Sequence, residues 1–77
     1  QRNAIIALGH FKDSSAIPEL TKVLKDDPRP VLRGTAAWAL GKIGDESAIE
    51  ILKDASQKEK DEQVLQEIEK GLNMLIN

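Results

Sequence analysis

The chain has 77 residues, enough for one small domain with a thin core. It is 40 % hydrophobic and 31 % charged, carries a net charge of −2, contains no cysteine, and has only Phe11 and Trp38 as aromatic residues. These totals exclude disulfides and cysteine chemistry, and they favour short helices packed through alanine, leucine and isoleucine over a β-sheet.

The lack of cysteine fits a cytoplasmic location. No apolar run approaches the roughly 20 residues that span a bilayer, so no membrane is expected as a partner. The first residues, Gln1-Arg2-Asn3, run straight into a helical pattern, and the chain reads as a fragment of a longer one. Charge is uneven along it. Residues 1–42 hold seven basic against four acidic side chains, or +3, while residues 43–77 hold four lysines against nine acids, or −5. Such a split suits a polyanion-facing half, and it equally suits scattered solubilising charge.

In chain order, the first helix is expected from about Arg2 to Leu8, with Gly9 ending it in a left-handed turn. Lys12-Asp13-Ser14-Ser15 supplies a turn and a helix cap, with Ser15 the favoured cap residue. The second helix then runs to about Lys25 with Ile17, Leu20, Val23 and Leu24 inward. Asp26-Asp27-Pro28 stops it, because the residue before proline is pushed out of the helical region. Pro30 opens the third helix, and Ile43 precedes the glycine that closes it. On this helix Leu32, Ala36, Ala39, Leu40 and Ile43 share one side.

After a turn at Gly44-Asp45, residues 46–57 form a fourth helix burying Ala48, Ile49, Leu52 and Ala55. Gln57-Lys58-Glu59-Lys60-Asp61 reads as a solvated connector. The last helix, residues 62–76, places Val64, Leu65, Ile68, Leu72, Leu75 and Ile76 inward and Glu67, Glu69 and Lys70 outward. That polar outer face suits the C-terminal end of a longer protein. Asp45-Glu46 and Asp61-Glu62 each precede a helix, where acids favour the positive end of its dipole.

The chain also repeats itself. Shifted by 32 residues, Ala4, Ala7, Leu8 and Gly9 fall on Ala36, Ala39, Leu40 and Gly41, and Asp13, Ser15, Ala16, Ile17 and Leu20 fall on Asp45, Ser47, Ala48, Ile49 and Leu52. A third copy begins faintly at Leu72 and Leu75.

The run Arg33-x-x-Ala36-x-x-Ala39-Leu40-Gly41-x-Ile43-x-Asp45-x-x-Ala48-Ile49-x-x-Leu52, whose core recurs in the first unit, resembles the HEAT-like repeats of the phycobilin-lyase type. The resemblance implies an all-α fold: a short right-handed α-α solenoid of HEAT-like repeats with about five helices. Residues 1–77 then form a single domain, with repeat one at 1–28, repeat two at 29–60 and a terminal helix at 61–77. The stretches 1–9 and 31–41 are closer still to the C-terminal HEAT-like region of the tRNA epoxyqueuosine reductases. That likeness implies a parent enzyme using cobalamin and 4Fe-4S clusters to finish queuosine synthesis on tRNA, with its catalytic domain upstream. No cofactor is expected in the present chain.

Arg2, Asn3, Lys12, Arg29, Arg33 and Lys42 are the candidate tRNA-binding residues, all taken from the basic part of the chain. Phosphate and ribose contacts of this kind position a nucleic acid without reading its sequence. Arg33, near a helix start and beside Gly34, suits a phosphate contact or a salt bridge to an acid of the preceding unit such as Asp26 or Asp27. Trp38 suits base stacking less well than packing between neighbouring helices. His10, alone beside a glycine, reads as a surface residue, and no paired carboxylates, phosphate-cradling loop or zinc spacing is present. The expected function is a non-catalytic accessory domain that helps bind the tRNA anticodon stem-loop beside an upstream catalytic domain. The alternative is a generic scaffold for a protein partner.

Overall fold

A computed structural model of the chain describes residues 2–76; Gln1 and Asn77, the outer limits of the expected first repeat and terminal helix, lie outside the described residues. Five α-helices follow one another: α1 (Arg2–His10), α2 (Ile17–Asp26), α3 (Pro30–Ile43), α4 (Ser47–Lys58) and α5 (Glu62–Ile76). A 3-10 turn at Ser14–Ala16 precedes α2. The described residues contain no strand, and none of their helices is long and apolar enough to cross a membrane. The architecture is an all-α solenoid.

Local chemistry sets the boundaries. Pro30 occupies the first position of α3, and Arg29 before it is extended at φ −91°, ψ 116°. Asp27, before Pro28, leaves α2 at φ −71°, ψ 130°. Gly44 closes α3 at φ +79°, a left-handed conformation that costs other residues about 1–2 kcal/mol.

The helices form two layers in a body of 28 × 28 × 17 Å. α1, α3 and α5 lie side by side in one layer, and α2 and α4 form the other. The closest approaches of α3 are to α5, α1 and α2, whereas it comes near its own hairpin partner α4 at few points. The stack is thus held mainly between repeats, as a solenoid requires.

α3 is the pillar of this arrangement. Leu32, Ala36, Ala39, Leu40 and Ile43 are buried, and so are Gly34, Ala37 and Gly41 on other sides of the helix. Small residues let the neighbours come close. A β-carbon placed on Gly41 would lie 2.5 Å from the Gly71 Cα, and one on Gly9 would lie 2.8 Å from Trp38 Cζ3 and 2.9 Å from the Ala39 Cα. Around these contacts Leu20, Leu40, Leu52, Val64 and Ile68 are fully buried, each contributing roughly 1.5–3 kcal/mol relative to an exposed position.

Four expectations are corrected. Gly9 does not end α1; it lies buried inside the helix because α3 presses on it, and the left-handed residue is Lys12 at φ +54°. Asp13 rather than Ser15 caps the next turn, its Oδ1 accepting hydrogen bonds from Ser15 N at 3.1 Å and Ser15 Oγ at 2.6 Å. Ile76 is 61 % exposed, because α5 turns Val64, Ile68 and Gly71 toward its neighbours. Glu59, in the supposedly solvated connector, has a side chain only 7 % exposed.

Candidate functional site

The parallel course of α1, α3 and α5 divides the candidate residues between two rims. Arg2 and Asn3 open α1, Arg29 immediately precedes α3, and Arg33 lies within its first turn. These four belong to the rim where the connectors between repeats enter the layer. Lys12 follows the end of α1 and Lys42 occupies the last turn of α3, at the rim formed by the turns within each hairpin. α3 has 14 residues and separates the rims by about 20 Å at 1.5 Å per residue. The six residues therefore do not make one continuous edge.

At the connector rim the strongest side chains are engaged with the protein itself. Arg33 donates from Nε to Glu59 Oε1 at 2.9 Å, from Nη2 to Glu59 Oε2 at 3.0 Å and from Nη1 to the Asp27 carbonyl at 2.8 Å. With 17 % of its side chain exposed, it clamps the α2–α3 connector to the α4–α5 connector. The hydrogen bonds from Arg33 hold the Glu59 carboxyl below its usual range against the opposing effect of burial, and they raise the Arg33 pKa in turn. Arg29 donates to both carboxylate oxygens of Asp27 at 3.0 Å, which lowers the Asp27 pKa to about 2. Of the two readings of Arg33, the structure displays a salt bridge, and its partner is Glu59 instead of Asp26 or Asp27.

That partner had a signal in the sequence. Glu59 is the counterpart of Asp27 at the 32-residue shift, and each accepts the backbone N–H two residues on, Arg29 N at 2.9 Å and Asp61 N at 3.0 Å. A match of acid to acid is invisible to a search for identities.

Between the openings of the three parallel helices lies a groove of about 520 Å³, with Arg2, Val31, Gly34, Trp38, Gln63 and Glu67 among its walls. Trp38 is half-buried, its six-membered ring against Gly9, which is the packing role expected of it. Glu67 on the far wall is paired with Lys70 at 3.5 Å.

The turn rim is different. Among the described residues neither Lys12 nor Lys42 forms an ion pair, while the neighbouring acids are committed to caps: Asp13 to Ser15, and Asp45 to Ser47 N at 2.9 Å. The α1–α2 turn is closed by Lys12 N donating to the Gly9 carbonyl and Asp13 N to the Leu8 carbonyl, both at 3.1 Å, the double bond pattern of a Schellman cap. Phe11 stands 78 % exposed at its tip, with the His10 ring edge-on at a centroid distance of 5.3 Å. Phe11 was not among the residues singled out; its repeat-two counterpart, Ile43, is buried, and nothing in the residue type forecasts the difference.

The sequence holds no cysteine, and no three His, Asp or Glu side chains converge as metal ligands among the described residues. The thiolates that an iron–sulfur cluster needs are not supplied by this stretch.

Known proteins resemble the chain over nearly its whole length. It is 65 % identical to an epoxyqueuosine reductase of Bacillus anthracis over 97 % of this chain and 20 % of the relative. With the epoxyqueuosine reductase of Bacillus subtilis it shares 64 % identity over 97 % of this chain and 19 % of the relative. A crystal structure of epoxyqueuosine reductase with a tRNA-Tyr epoxyqueuosine-modified tRNA stem loop matches with a TM-score of 0.96 at 62 % identity, covering 100 % of this chain and 20 % of that one. The chain thus spans about a fifth of the length of these relatives. The HEAT repeats profile matches residues 1–73, and on that match and the duplicated helical hairpins the chain belongs to the HEAT-repeat family.

Proposed function

We propose that the chain is a non-catalytic HEAT-repeat segment of an epoxyqueuosine reductase and that it helps hold the tRNA anticodon stem-loop, mainly through the turn rim. The observation that supports this reading most is the close superposition on part of a reductase solved with a tRNA stem loop. Ion pairing favours the turn rim within it. Lys12 and Lys42 form no ion pair there among the described residues, whereas Arg29 and Arg33 at the connector rim are paired with Asp27 and Glu59; Asp13, Asp45 and Glu46 keep their negative charges beside the two lysines. Arg2, beside the groove, and Asn3 next to it remain as secondary contacts. Each phosphate neutralised by a cation releases counterions, so the contribution of these lysines falls as salt rises. Reduction of the modified base, with the cobalamin and clusters it requires, belongs to the rest of the parent chain.

The test uses full-length reductase and a synthetic anticodon stem-loop. Lys12→Glu/Lys42→Glu should weaken binding about tenfold or more and flatten its salt dependence. Turnover at saturating RNA should be unchanged. Arg2→Glu/Arg29→Glu should weaken binding less. Full affinity in both double variants overturns the reading and favours a scaffold for a protein partner.

A further inference from the structure

The geometry points to the α1–α2 turn as a stacking site for an unpaired nucleobase of the bound RNA loop, with Phe11 as the platform and Lys12 and Lys42 holding the flanking phosphates; this rests on the stem-loop reading above. The two hairpin turns occupy the same register, residues 10–12 on 42–44, yet they are built differently. In the second turn the middle residue, Ile43, is buried, and the left-handed position is glycine, as the backbone prefers. In the first turn the middle residue is a phenylalanine left 78 % exposed, and a lysine is held at φ +54°. The left-handed lysine runs against stability. Residues in sparsely populated backbone conformations gather where function requires them.

What the turn presents is an aromatic face beside cations, the combination by which proteins hold single-stranded nucleic acid. The His10 ring meets Phe11 edge-on. Lys12 follows it directly, and Lys42 is at the same rim because α1 and α3 run in step, with Gly9 against Ala39. The acids within reach are Asp13 and Asp45, which accept hydrogen bonds from Ser15 and Ser47, and the exposed Glu46; all three keep their negative charges. A nucleobase suits such a surface whatever its identity, since every base has a π-face.

The experiment compares Phe11→Leu and Phe11→Tyr in the full-length reductase, binding the synthetic anticodon stem-loop and the same stem-loop with abasic loop positions. Leucine keeps an apolar side chain but removes the π-face, and should weaken binding of the intact loop about tenfold. Tyrosine should restore affinity to within about twofold. The abasic loop should bind the Leu variant and the parent equally, and the melting temperature of the enzyme should not change. Undiminished affinity in Phe11→Leu, a loss that tyrosine does not rescue, or a fall in melting temperature with affinity intact (as when protein covers Phe11) each overturns the assignment. If only the lysine reversals weaken binding, stacking fails and the stem-loop reading stands; if neither set does, both fail.

Discussion

The first helices of the two repeats carry the same Ala-x-x-Ala-Leu-Gly core and lead opposite lives. Ala36, Ala39 and Leu40 of α3 are completely buried, whereas Ala4 and Ala7 of α1 are exposed and Leu8 is half-buried. Only the glycines keep one role, each admitting the next helix of the layer: α3 onto Gly9, α5 onto Gly41. The same alanine pair is thus buried in α3, which is flanked by α1 and α5, and exposed in α1 among the described residues. The exposed side of α1 is the side that, in α3, faces the preceding repeat.

The hardest blow to this comparison comes at the crossing of α3 and α5. Gly41→Ala drives a methyl into the Gly71 backbone and should cost about 3 kcal/mol in chemical denaturation, at the upper end for overpacking. On the same helix, a β-carbon at Gly34 meets nothing nearer than Glu67 Cγ at 3.5 Å, so Gly34→Ala should stabilise by about 0.5–1 kcal/mol through its better helix propensity. Equal effects at the two glycines would mean that the helices do not approach as described.

The Arg33–Glu59 clamp ties the α2–α3 connector to the α4–α5 connector. Breaking it from one side with Glu59→Ala leaves a nearly buried guanidinium unpaired and should cost about 3 kcal/mol. Because the Glu59 pKa lies below its ordinary value of 4.5 in the folded chain, the clamp's contribution is complete above that pH and disappears as pH falls through the folded value. Melting temperature should therefore drop on acidification below about pH 4.5, and Glu59→Gln should shrink that drop.

Ala39→Leu against Ala7→Leu tests whether neighbours decide burial. Within the 77-residue segment, the former should lose about 1–3 kcal/mol and the latter less than about 0.5. A smaller effect is expected at the turns: Gly44→Lys should destabilise by about 1 kcal/mol and Lys12→Gly should stabilise by about 0.5–1 kcal/mol, since only the latter relieves a left-handed lysine.

Much of the fold was legible because its signals are local or periodic. Pro30 and Gly44 bracket α3 to the residue, Pro28 stops α2, and the 32-residue shift announces the stack. The site was less legible because its determinants are not local. Gly9 has two explanations from sequence, a helix end or a close approach, and only the position of α3 chooses between them. Arg33 finds Glu59 across 26 residues. A charge count over residues 1–42 suggests one basic edge, yet the length of α3 places Arg29 and Lys42 at opposite rims. Phe11 became conspicuous only once its exposure was known.

Under the proposed function, hydrogen exchange of the full-length parent protein with and without the synthetic anticodon stem-loop reads the turn rim amide by amide. Bound RNA should slow exchange at amides 10–13 and 42–46, along the turn rim, with little change in α2 and α4. Protection confined to the openings of α1, α3 and α5, or absent from the whole segment, would contradict the account.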